Sequence, residues 1–235
     1  MHKEEFEIGA IRPIECFKEG WELIKPHYWI LFAISIVGAM IAGLSLYILL
    51  GAAMCGIFYC FFQVIDGGEP EFEGLMKGLE FFKPSFLVMI VFVVPMIAVF
   101  SLIYIPFILA AVMGPRLSGD EFIPILIGSL AVEFIVAIIM VCLHTLLMFA
   151  FPLIVDRNMT GFGAMKLSAK AVWKNLSGVA GLWAVSFVIC LIGYLLLCIG
   201  IYFAIPILLA GNVVAYRKVF PSLTTQNDNP ASLGA

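Results

Sequence analysis

Charge is what this sequence has least of. Only 12% of its 235 residues are Asp, Glu, Lys or Arg, while 63% are hydrophobic; a soluble domain carries about 25% charged and about 45–50% apolar residues. A soluble core of this size cannot absorb that excess, so lipid is the expected solvent. Catalytic signatures are missing too: there is no His-Glu-x-x-His pair, no Gly-x-Ser-x-Gly elbow and no Gly-x-x-x-x-Gly-Lys-Ser/Thr phosphate loop, which argues against an enzyme and leaves no cofactor or metal to expect. None of the six cysteines (Cys16, Cys55, Cys60, Cys142, Cys190, Cys198) forms a Cys-x-x-Cys pair, so neither a zinc site nor a secreted disulfide framework is indicated, and buried reduced thiols are expected. The first 27 residues hold six acidic and four basic side chains without a basic segment leading into a cleavable apolar one, so no signal peptide is expected. The net charge of -3 is spread thinly, which speaks against nucleic acid as a partner.

What is present is apolar length. Runs from Tyr28 to Ile65, Ser85 to Gly114, Phe122 to Val155 and Leu176 to Tyr216 all exceed the roughly 18 residues that mark a membrane span. The first and last contain 38 and 41 residues, so each is one overlong helix or a hairpin. Charge separates the two. With hairpins, 12 of the 13 Lys and Arg fall on one side and only Arg116 on the other; with single crossings the split is seven to six. The positive-inside bias selects six spans, near 28–43, 46–65, 85–113, 130–155, 177–197 and 200–216, with both termini cytosolic. Turns are expected at Gly43–Ser45 and Cys198–Gly200, in one all-α transmembrane domain over 1–220, and the polar tail 221–235 reads as disordered.

Each pair of spans is preceded by a short amphipathic stretch, near 12–25, 71–82 and 161–175, which suggests a triplicated helix-plus-hairpin unit lying on the cytosolic interface. Their apolar stripes are read as Ile14, Phe17, Trp21 and Ile24; Phe72, Leu75, Leu79 and Phe82; and Phe162, Met165, Ala169 and Val172. Gly20-Trp21-Glu22-Leu23-Ile24-Lys25-Pro26 echoes Gly78-Leu79-Glu80-Phe81-Phe82-Lys83-Pro84, and a helix does not easily continue through the residue before proline, so the chain should bend there and enter the membrane. The third stretch adds Lys166, Lys170 and Lys174 at i, i+4, i+8, read as a basic ridge on the face away from Phe162 and Met165. Such a ridge binds anionic lipid headgroups at about 1 kcal/mol per lysine near the surface, or serves only as a topology signal.

Ionisable groups inside a span are costly and are functional candidates by default. Glu133 and His144 on the fourth span qualify: eleven residues apart, they project within about 20° of each other and about 16 Å apart along the axis, as a proton or cation route would need, or as two local hydrogen-bonding positions would allow. Prolines 95, 106, 152 and 206 should kink or break their helices. The acidic stretch Asp66 to Glu73 reads as a solvated turn more readily than as a cation site.

The segment Phe151-Pro152-Leu153-Ile154-Val155-Asp156-Arg157-Asn158-Met159, with Gly161, Ala164-Met165, Ser168 and Trp173-Lys174-Asn175, resembles the YciC-like bacterial inner-membrane proteins. It is also similar to related six-span families and to the membrane domain of some glycerophosphodiester phosphodiesterases. The resemblance implies a prokaryotic cytoplasmic-membrane location and an architectural role for Pro152, Asp156, Arg157, Ser168 and Asn175; it implies no catalytic site. Asp156 is expected to accept from backbone N–H groups opening the next helix, while Arg157 reaches lipid phosphate. Two functions compete: a non-enzymatic protein acting through membrane lipids, a protein partner or a second copy of itself, and a small-molecule, lipid or ion transporter using the Glu133–His144 face.

Overall fold

In the computed structural model of the chain, residues 6–113, 119–196 and 199–221 are described, and among them every regular element is a helix. In chain order these are α1 (Pro13–Ile24), α2 (Tyr28–Leu44), α3 (Leu50–Ile65), α4 (Phe72–Lys77), α5 (Phe82–Met113), α6 (Gly119–Leu146), α7 (Ala150–Arg157), α8 (Gly161–Lys174), α9 (Leu176–Leu195) and α10 (Gly200–Val219), with 3-10 turns at Lys25–His27 and Gly78–Phe81. Five stretches, Pro13–Leu44, Phe72–Ser101, Ile127–Arg157, Leu176–Leu195 and Gly200–Val219, are long and apolar enough to cross a membrane, whereas apolar α3 has only 16 residues. By these helices the chain is a multi-pass membrane protein.

Several boundaries depart from the expectation. The first turn occupies residues 45–49 rather than Gly43–Ser45, and α3 begins at Leu50. The expected fourth span is broken: α6 stops at Leu146 and α7 starts at Ala150. Pro152 accounts for part of this, because it cannot donate to the Met148 carbonyl and its ring crowds that oxygen. Prolines 95 and 106 lie within continuous α5, and Pro206 within continuous α10. The Tyr28 hydroxyl donates to the Phe203 carbonyl at 2.7 Å, next to the Tyr202 carbonyl that Pro206 deprives of its helical donor. Residues 114–118 of the far loop expected over 114–121, residue 198 of the expected last turn and the tail beyond Pro221 lie outside the described residues, and α6 already begins at Gly119.

The same packing relation occurs three times. α4 and the turn after it run antiparallel along α3: a Cβ at Gly74 would meet Cys60, one at Gly56 would meet the backbone of Leu75, and one at Gly78 would meet Ala52 and Gly56. α8 packs on the α6–α7 break, where Ser168 bonds Leu146 and Phe149. α1 runs antiparallel along α10, with Glu19 on Lys218, Gly20 on Ala210 and Gly211, and Tyr28 on Phe203. Each short helix thus lies along a helix that ends a hairpin, and α1 on α10 closes the ring.

The buried faces of the short helices differ from the expected stripes. Ile14, Phe72, Leu79 and Phe162 are exposed, while the buried positions are Cys16, Phe17, Gly20 and Ile24 on α1, Gly74 and Leu75 on α4, and Gly161, Ala164, Leu167, Ser168, Ala171 and Val172 on α8. Small residues turn inward because helices associating without a hydrophobic driving force gain from close backbone approach. Of the expected stripes, Phe17, Ile24, Leu75 and Val172 are buried, whereas Ile14, Phe72, Leu79 and Phe162 face outward. Of the thiols, Cys16, Cys55 and Cys60 are buried and free, but Cys142 is exposed on α6.

Candidate functional site

Three helix ends meet at one buried ionic junction. Arg217, near the end of α10, donates from Nη1 to Asp156 Oδ1 at 2.6 Å and from Nη2 to the Asp66 carboxylate at 2.8 and 3.0 Å. Asp156 also accepts from the Tyr216 hydroxyl at 2.7 Å. The side chains of Arg217 and Asp156 are only 15% and 14% exposed, against 55% for Asp66. Aromatic rings close the junction: the Arg217 guanidinium lies 4.6 Å from the Phe62 ring centroid and that of Arg157 lies 5.1 Å from Phe220. A fork of guanidinium donors suits two carboxylates at once, so α3, α7 and α10 are pinned by a single side chain.

This arrangement corrects two expectations. Asp156 does not cap the next helix; Thr160 does, its Oγ1 accepting from Gly163 N at 3.3 Å. The left-handed residue Asn158 (φ 48°) makes the turn between α7 and α8. Arg157 is not presented to headgroups: its side chain is 17% exposed, with Nε 3.9 Å from Asp156 Oδ2 and Nη2 donating to the Pro221 carbonyl at 3.4 Å. An arginine beside a carboxylate and an aromatic face is drawn inward, since both partners are within reach and neither is free to leave.

Ser168 and Asn175, also singled out by sequence, are buried connectors. Ser168 Oγ donates to the Leu146 carbonyl at 2.8 Å and accepts from Phe149 N at 3.1 Å, satisfying both sides of the helix break. Pro152 is buried just beyond it in α7. Asn175 donates from Nδ2 to the Ala171 and Glu7 carbonyls, each at 3.0 Å, and accepts from Gly9 N at 2.6 Å. It holds the segment before α1 against the α8–α9 corner. Asn175→Ala is therefore expected to cost about 1–3 kcal/mol, the penalty for stranding buried polar groups, and to speed cleavage after Glu7 by a glutamate-specific protease; an unchanged cleavage rate would remove this role.

On the outer face of α8, Lys166, Lys170 and Lys174 are exposed together with Phe162 at 70% and Trp173 at 69%. The lysines therefore share a face with Phe162 instead of opposing it, as residues four apart on a helix must. Lys170 Nζ stands 5.6 Å from the Phe6 ring. His144 faces α5: its ring packs edge-on to Phe92 at 4.5 Å, and Nδ1 is 2.8 Å from the Met140 carbonyl. Glu133 shares its half-buried stripe on α6, about three turns away, so the two lie on one face without touching. Among the described residues no group of His, Cys, Asp and Glu could hold a metal, and Asp66 is engaged by Arg217.

The sequence reading missed Arg217, Tyr216 and the pairing of Asp66. Their signal lay in the expected topology, in which hairpins returning to one side bring residues 66, 156 and 217 to a common level, two aspartates and one arginine. Comparison with known proteins adds nothing to this: no family model, no curated protein and no solved structure matches the chain.

Proposed function

We propose that this chain is a non-enzymatic protein of a prokaryotic cytoplasmic membrane that acts through anionic lipid or a protein partner, as a scaffold, assembly or envelope-homeostasis factor. Its six longer helical segments form three membrane hairpins that each return to the cytosolic side, with both termini there. The charge count supports that orientation, and the resemblance of residues 151–175 to YciC-like proteins agrees with it. The observation that carries the function is the outer face of α8. Two exposed aromatics at the ends of a three-lysine row match a membrane interface, where rings sit at headgroup level and lysines meet lipid phosphate. The junction around Arg217 supports an architectural role for Asp156 and Arg157, since Asp156 ties α7 to α10 through Arg217 and Tyr216.

Native mass spectrometry of the protein released gently from its membrane tests this reading. Retained anionic lipid that is lost in the Lys166→Gln/Lys170→Gln/Lys174→Gln variant is the expected result. Retention unaffected by the triple substitution, or a bare monomer, overturns it. The second reading, transport along the Glu133–His144 stripe, draws on the packing of His144 against Phe92 of α5 and on the half-buried stripe that Glu133 shares with it; vesicle flux that Glu133→Gln abolishes would favour it.

A further inference from the structure

We infer that the α2–α3 hairpin does not cross the membrane: it is a re-entrant hairpin whose turn stays in the cytosolic leaflet, where Leu44, Leu46, Tyr47 and Ile48 present a surface to acyl chains. The inference rests on the cytosolic placement of Lys83 and the crossing of α5–α6 in the reading above, and it concerns depth, which the charge count does not address because a hairpin returns to its starting side whether or not it crosses.

Position comes first. A Cβ at Gly51, the second residue of α3, would stand 2.7 Å from the Ser85 carbonyl oxygen, so the start of α3 is locked against the start of α5, two residues after Lys83. From Gly51 to Tyr47 is four residues, about 14 Å even at full extension, whereas the far side of the hydrocarbon lies about 30 Å from the near one. α5 continues 28 residues past Ser85 to Met113, about 42 Å of helix, ample to cross. α2 and α3 have 17 and 16 residues, about 25 Å each. The turn is therefore tethered near the interface at which α5 begins, and the far side is out of its reach.

Chemistry agrees with position. No charged residue lies between Tyr28 and Ile65, and at the turn Leu44 is 83%, Leu46 82%, Ile48 53% and Tyr47 51% exposed. A turn in water would leave backbone donors to solvent; this one leaves none from Ser45 to Leu50. Ser45 N donates to Ile41 O (3.0 Å), Leu46 N to Gly43 O (3.1 Å), Tyr47 N to Ala42 O (2.9 Å), Ile48 N to Ser45 O (3.0 Å) and Leu50 N to Tyr47 O (3.1 Å). Leu49 N, which has no backbone acceptor there, is taken by Ser45 Oγ at 3.1 Å, and that hydroxyl donates to Ala42 O at 3.0 Å. Donors satisfied within the turn itself suit a place in hydrocarbon, where no water can take them. Leu46 and Tyr47 also hold left-handed φ values of 50° and 66°, where Gly or Asn would fit without strain; apolar side chains occupy both positions instead.

The test places single cysteines in the full chain at Leu46→Cys and, in the expected far loop, Asp120→Cys, and treats sealed cells with a membrane-impermeant maleimide. Labelling is read on the modified peptide by mass spectrometry, so native thiols do not interfere. Asp120→Cys should react from outside while Leu46→Cys stays at background, and a nitroxide at Leu46→Cys should be relaxed by oxygen and not by a water-soluble nickel complex. Labelling of Leu46→Cys from outside at the rate of Asp120→Cys, or nickel-dominated relaxation at Leu46→Cys, would overturn the inference. An unreactive Asp120→Cys would instead count against the crossing of α5–α6, so the two failures are distinguishable.

Discussion

Asp156→Ala is expected to destabilise the protein by about 3–5 kcal/mol, the cost of removing one partner of a buried ion pair and stranding the other. Arg217 would keep only Asp66, which is 55% exposed, and the Tyr216 hydroxyl, buried beneath Phe62 and Phe220, would lose its acceptor. Asp66→Ala is the matched comparison. It removes a carboxylate from the same guanidinium at a solvated position, so its cost should stay within about 1 kcal/mol. Thermal unfolding in detergent, followed by circular dichroism, should show a large fall in Tm for the first and little for the second. Equal falls would mean that the junction does not depend on burial, and the pinning of α7 to α10 through Asp156 would have to be abandoned.

The second large effect is steric. In Gly78→Ala the new methyl would be driven into the carbonyl of Ala52 and the backbone of Gly56, atoms that cannot rotate away as a side-chain tip can. The cost of such overpacking is about 1–3 kcal/mol, occasionally more. Gly43→Ala, with nothing within 4 Å of its added methyl, should be neutral or stabilising, by up to about 1 kcal/mol from reduced chain entropy. Opposite signs for one substitution at two glycines, read as Tm in the same detergent, would identify close approach of α4 to α3 as the cause. Matching shifts would exclude it.

Much of the architecture was legible in composition and charge. The apolar runs located the long helices, but the echo from Gly20 to Pro26 in Gly78 to Pro84 does not fold alike: one copy has a 3-10 turn at its end, at Lys25–His27, and the other at its start, at Gly78–Phe81, with Pro84 inside α5. Ser168 and Asn175 were singled out before their bonds were visible. The inward faces of the short helices were read correctly at Phe17, Ile24, Leu75 and Val172 and missed elsewhere for a definite reason: a search for large apolar side chains at helical spacing assumes that burial follows hydrophobicity alone. Against lipid it follows size and fit, so Gly20, Gly74, Ala164 and Ser168 went in while Ile14, Phe72 and Phe162 stayed out. Arg217 was overlooked because a basic residue at the end of a span already had an explanation as a topology signal.

By itself the sequence determined the helical class and the approximate extents of the helices long and apolar enough to cross a membrane. These are local properties, set by how many consecutive residues can satisfy their backbone within one helix and tolerate hydrocarbon. Only the tertiary structure decided that Arg217 holds Asp66 and Asp156 together, that Arg157 turns inward, and that Gly51 meets Ser85. Apolar faces are nearly interchangeable to one another and to lipid. Which of them touch is fixed by a few small residues and by polar bonds that join positions as far as 175 residues apart, and their partners become visible only once the chain is folded.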